Sequence, residues 1–128
     1  MAWREDFYNK VRKEKLGQSM KTYEDVINFI KNEFTKLAEP IKSDTSIDET
    51  KGYYTFSVLD KNLEINNERN KIIFYKNIID PEGRDAALKF NEFSLVDGIY
   101  CVMIDNHPVK IDETIIDSIF KKAFYLQG

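Results

Sequence analysis

The sequence predicts an α+β domain: an antiparallel meander of about five strands, with two N-terminal helices and one C-terminal helix packed on it. Three observations carry this. Residues 22–38 hold an apolar stripe at helical spacing, residues 53–104 fall into short apolar or alternating segments divided by turn residues, and residues 112–124 return to helical spacing. Short consecutive strands joined by tight turns pair antiparallel. Helices confined to the chain ends pack as a layer against such a sheet. The 128 residues suit a single domain, 1–128, and 42% hydrophobic with 32% charged residues is a folded composition.

Residues 2–16 favour helix, with Trp3, Phe7, Val11 and Tyr8 toward one side and Gly17 as a stop signal. Thr22 is the expected N-cap of the second helix, and Glu24 and Asp25 suit the positive end of its dipole. Tyr23, Val26, Ile27, Ile30, Phe34 and Leu37 form its apolar stripe, and Glu39-Pro40 ends it. Residues 41–51, IKSDTSIDETK, have loop composition.

The sheet is expected to begin near Gly52. Tyr54, Phe56 and Val58 alternate with Tyr53, Thr55 and Ser57. Asp60, Lys61 and Asn62 read as a turn, Leu63 and Ile65 as a short strand, and residues 66–70 as another turn. Lys71–Lys76 is β-branched and aromatic, as strands prefer. Pro81–Arg84 forms a loop. The most apolar stretch, Leu88–Ile111, reads as a hairpin turning at Asp97-Gly98, because glycine tolerates the positive φ of a type I′ turn. Phe90 and Phe93 are three apart, so a bulge near Asn91 or Glu92 is needed to keep both inward. Val109–Ile111 offers a short sixth strand. Asp112 is the expected N-cap of the last helix, with Ile111 and Ile116 placed for a hydrophobic staple. Ile115, Ile116, Ile119, Phe120, Ala123 and Phe124 make its buried face.

Composition excludes more functions than it suggests. A net charge of −3 gives no bulk attraction to nucleic acid or acidic lipid. The single cysteine excludes an internal disulfide. MAWREDFYNK lacks the apolar core of a signal peptide, and no apolar run approaches the ~20 residues of a membrane span. The expected setting is the cytoplasm. Fifteen lysines against four arginines, with 15 isoleucines and 10 asparagines, suggest an AT-rich bacterial genome.

Candidate chemistry is thin. Cys101 and His107 lie six residues apart with Asp105 between them, the residue types of a thiol nucleophile and its base. IYCVMI, however, is the setting of a buried cysteine acting as a small hydrophobe. One His and one Cys cannot build a structural zinc site. Asp44, Asp48 and Glu49 lack the spacing and glycine of a calcium loop. The five glycines are isolated, so no phosphate-cradling loop is present. Residues 1–21 are locally basic, and the break at Gly17 loosely suggests a helix-turn-helix. The outward residues of the second helix are mixed in sign, which argues against nucleic acid. The sequence thus assigns no catalytic, cofactor-binding or metal-ligating residues and no cofactor.

Protein contact has the best support. Ile99–Ile104 is apolar at every position, so both faces of that strand are expected to need cover, from Trp3, Phe7 and Val11 or from a second subunit. In size, composition and layout the chain, and its tail LVDGIYCVMIDNHPVKIDETIIDSIFKKAF in particular, resembles short uncharacterised proteins of AT-rich Gram-positive bacteria grouped as domains of unknown function. Bacterial immunity proteins and small secretion chaperones use similar compact acidic α+β domains to bind other proteins. The expectation is a non-enzymatic cytosolic interaction domain, with a protein partner or itself as a homodimer. The alternative is a small enzyme or ligand-binding domain whose pocket uses groups such as Tyr53, Tyr75, Asp105 or His107.

Overall fold

The second helix sets the packing. In the computed structural model, which describes residues 2–125, this helix, α2, spans Tyr23–Ala38. The Thr22 hydroxyl accepts the Asp25 N–H at 3.1 Å, and the Asp25 carboxylate accepts the Thr22 N–H at 3.0 Å, closing a capping box. Its stripe of Val26, Ile27, Ile30 and Phe34 is buried against the sheet, but Leu37 stays exposed. The preceding helix, α1, spans Ala2–Gln18, and the last, α3, spans Glu113–Phe124. The Asp112 carboxylate caps α3 by accepting the Ile115 N–H at 3.0 Å. Ile111 and Ile116 are both fully buried, as a staple requires.

Between α2 and α3 lies a seven-stranded antiparallel meander, not one of about five: β1 (Thr45–Thr50), β2 (Tyr53–Val58), β3 (Lys61–Glu68), β4 (Lys71–Ile79), β5 (Asp85–Val96), β6 (Ile99–Ile104) and β7 (His107–Lys110), side by side in chain order. The extra strands come from both ends. TSIDET, expected as loop, pairs with β2 from Thr45↔Val58 to Thr50↔Tyr53. Its β propensity is mixed, with Thr45, Ile47 and Thr50 set against Ser46, Asp48 and Glu49, and the neighbouring strand supplies the ladder that decides it. The return strand after β6 begins at His107 rather than Val109. Lys61 and Asn62 belong to β3, so the turn before it is only Leu59-Asp60. Lys51-Gly52, Arg69-Asn70, Asp97-Gly98 and Asp105-Asn106 all have positive φ at both residues, the type I′ pattern whose twist matches the strands.

The core lies between the sheet and the helix pair α2–α3. The Phe34 ring meets Phe56 at 5.1 Å and Phe120 at 6.0 Å, both edge-on, and Phe74 meets Phe93 at 4.8 Å. Tyr23 Oη donates to the Gly52 carbonyl at 2.8 Å, tying the start of α2 to the β1–β2 turn. The expected bulge exists one residue earlier than placed. Phe74 pairs with Asn91 and Tyr75 with Lys89, so Phe90 is the extra residue and Phe93 still faces the core.

Two features depart from the expected layering. β5 is twelve residues long but pairs with β6 only over Ser94–Val96. Its first nine residues, Asp85–Phe93, have β4 on one side and no strand on the other. The second departure is α1, which meets the sheet chiefly at β6 and β7.

Candidate functional site

The largest unclaimed apolar side chains lie on α1. Glu5 in its first turn and Lys15 in its last suit the helix dipole. Its C-terminal third is anchored. Gly17 is buried, and a Cβ there would sit 2.6 Å from Lys110 Cβ, so only glycine permits this approach. Gly17 is therefore a contact inside the helix rather than its stop. Glu14 pairs with Lys110, and Arg12 donates to Glu113 at 2.7 Å. Burial opposes ionisation of Glu113, but its own backbone N–H and Arg12 outweigh that and hold its carboxyl below the usual range.

Further toward the N-terminus nothing covers the helix. Trp3, Phe7, Tyr8 and Val11 are 62%, 54%, 64% and 42% exposed. Trp3, Phe7 and Val11 follow one another at intervals of four, on one side of the helix. The Phe7 and Tyr8 rings lie tilted to each other at 5.9 Å, and the Arg4 guanidinium lies 5.4 Å from the Trp3 ring. The expectation that these residues cover the strand Ile99–Ile104 is corrected. Tyr100, Cys101 and Val102 are buried, so both faces are covered there, but Met103 and Ile104 are each 46% exposed. Beyond Cys101 the β5–β6 ladder has ended, and the β6–β7 hairpin extends past the sheet body.

The Cys101–His107 pair is not assembled. Cys101 pairs with Lys110 and His107 with Ile104. Three positions along a strand is about 10 Å, and an odd offset turns the side chains to opposite faces. Burial pushes the Cys101 thiol pKa up, and the thiol leans on the Ile99 carbonyl at 3.7 Å. Tyr53, Tyr75, Asp105 and His107 do not converge. Tyr53 begins β2 beside the β1–β2 turn, Tyr75 sits mid-sheet between Glu64 and Lys89, and Asp105 and His107 are exposed at the β6–β7 turn. Asp48 and Glu49 are successive strand residues and point to opposite faces.

Several concavities mark the surface of the described residues. A cleft of about 530 Å³ opens where β5 and β6 part, lined by Lys89, Phe90, Glu92, Ser94, Val102 and Met103. Glu92 meets Lys89 at 2.9 Å and Lys71 at 3.4 Å. The Lys89 hydrogen bond holds its carboxyl below the usual range, which makes it a settled anion and a poor base. A groove of about 490 Å³ runs between the C-terminal ends of α2 and α3, lined mainly by Leu37, Ile41, Val58, Phe120 and Phe124. No His, Cys, Asp and Glu side chains gather in threes among the described residues, and no helix there is long and apolar enough to cross a membrane.

No family model, no curated protein and no solved structure matches this chain. Sequence reasoning offered Trp3, Phe7 and Val11, or a second subunit, as cover for Ile99–Ile104, and missed the unpaired stretch of β5. The available signal for the latter was length, since a strand beginning at Asp85 outruns the six residues before Asp105-Asn106.

Proposed function

We propose that the chain is a non-enzymatic protein-interaction domain of a bacterial cytoplasm, engaging its partner through α1. The observation that carries this is the exposed line Trp3-Phe7-Val11 on a helix held only by its far end. Large side chains left in water at helical spacing are how a helix presents itself to an apolar groove. Aromatic residues of this kind are the usual centres of binding energy. Ala2–Gln18 carries five basic residues against three acidic ones, so the fitting partner has an apolar groove with an acidic rim.

Capture from the native host tests this, with the wild-type chain beside the Trp3→Ala/Phe7→Ala/Val11→Ala variant. The expected outcome is a partner retained by the wild type and lost by the variant, with unchanged circular dichroism. Equal retention of that partner by both overturns the reading. The groove between α2 and α3 supports a second reading, a ligand-binding domain for an apolar molecule, since its size and lining fall in the ordinary range for such sites. Saturable quenching of nearby tyrosine fluorescence by an apolar probe would favour it.

A further inference from the structure

We infer that the free edge of β5 is a homodimer interface, in which two copies pair antiparallel about a two-fold axis at Ala87. The inference rests on the reading that the chain works through protein contacts, and it names a different surface and partner from α1.

An unpaired strand edge presents a row of backbone donors and acceptors, and proteins guard such edges with charge, proline or shortness. The two outer edges of this sheet are guarded. β1 carries Asp48 and Glu49 over six residues. β7 is four residues long, contains Pro108, and ends where the Met20 carbonyl takes over by accepting the Tyr100 N–H at 2.7 Å. The open stretch of β5, Asp85-Ala86-Ala87-Leu88-Lys89, is extended, contains no proline and carries one charge of each sign, where β1 carries two of one sign that repel a second copy. Leu88 is 44% exposed, and on β4 Ile79, which pairs with Asp85, is 65% exposed.

Two-fold pairing restricts the register. Backbone groups point alternately toward and away from a strand's edge, so in a symmetric antiparallel pair the numbers of facing residues must sum to an even value. Centring on Ala86 sets Leu88 against Arg84. Centring on Leu88 sets Lys89 against Ala87. Centring on Lys89 sets two lysines face to face, which repels. Centring on Ala87 sets Asp85 against Lys89 twice, Ala86 against Leu88 twice, and Ala87 against itself. This register alone places opposite charges directly across the join. Asp85, Ala87 and Lys89 share the helix-free face of the sheet, because they pair with Ile79, Asn77 and Tyr75. Asp85 has no ion-pair partner among the described residues. Lys89 already donates to Glu92, and its ammonium retains further donors for a second carboxylate. The ladder stops at Phe90, where the bulge and the cleft begin.

Sedimentation velocity over a concentration series tests the dimer. The wild type should rise from 15.1 kDa toward twice that mass as concentration increases. Asp85→Lys should weaken association by about tenfold or more, and Asp85→Lys/Lys89→Asp should restore it. A wild type that stays monomeric throughout overturns the inference. So does a dimer indifferent to Asp85→Lys, or one that the charge swap fails to recover. Ala87→Cys in a Cys101→Ala background reads the axis independently: mild oxidation should link two copies through that position, and no linkage between well-folded copies overturns the register. Trp3→Ala/Phe7→Ala/Val11→Ala should dimerise like the wild type. Loss of the dimer with α1 capture intact would remove this inference and leave the α1 reading standing.

Discussion

α1 and α2 carry apolar side chains at much the same spacing, and the fold treats them oppositely. In α2, Val26, Ile27, Ile30 and Phe34 are all buried under a helix that starts with a closed capping box and a tyrosine bonded to the sheet. In α1, Trp3, Phe7, Tyr8 and Val11 stand in water, and the helix is held by Gly17 against Lys110 and two ion pairs near its end. The difference teaches that helical spacing identifies a face but not its partner. A stripe becomes core only if another apolar surface lies within reach. α2 follows the sheet's centre, where Phe56, Leu63 and Ile65 await it. The end of α1 meets an edge strand of four residues that offers Pro108, Val109 and Lys110.

The sharpest way to break the comparison is to remove one ring from each helix. Phe34→Ala should cost about 3–5 kcal/mol, because Phe34 touches Phe56, Phe120 and Phe124 and leaves a cavity among them. Phe7→Ala should stay within about 0.5 kcal/mol of the wild type, as surface substitutions do. Chemical denaturation of both measures the gap. Comparable losses would mean that Phe7 is buried in solution by a contact absent from the single chain.

A smaller effect tests the anchor of α1. Gly17→Ala forces a Cβ against Lys110 Cβ rather than against the end of a flexible side chain. Overpacking of this kind costs about 1–3 kcal/mol, offset in part by the ~1 kcal/mol that alanine gains over glycine in a helix. Amide exchange should speed up along α1 and remain slow in α2. Unchanged protection in α1 would mean that the helix tolerates separation from β7.

Acid should have the smallest effect, and on the same helix. Glu113 is held below the ordinary carboxylate range when folded, against its own burial, by its backbone N–H and Arg12. Glu14 is lowered by its hydrogen bond to Lys110. A carboxyl with a depressed folded pKa contributes stability that is present above its unfolded pKa and lost as pH falls through the folded value. Protection of the α1 amides, corrected for the intrinsic exchange rate at each pH, should therefore fall as pH drops below the normal glutamate range. Arg12→Ala should flatten that dependence, and an identical pH profile in the variant would show that the Arg12–Glu113 pair does not hold the helix.

The amino-acid sequence by itself determined the features whose causes lie within a few residues. Thr22 and Asp112 cap helices because each carboxylate or hydroxyl bonds an amide three residues on. Asp97-Gly98 turns the chain because its own φ angles suit a type I′ loop. The burial of Cys101 was legible in IYCVMI, and with it the weakness of the Cys101–His107 pair. Only the tertiary structure decided what depends on a distant neighbour. TSIDET is a strand because β2 offers it a ladder; Thr45, Ile47 and Thr50 suit one, but Ser46, Asp48 and Glu49 among them read as loop. The α1 aromatics are surface because the helix ends beside a strand too short to receive them. The first nine residues of β5 are an edge because β6 turns back after six residues, while β4 runs on beside them to Asp85. Caps and turns are set by covalent proximity, whereas cover and edges are set by where the rest of the chain runs out.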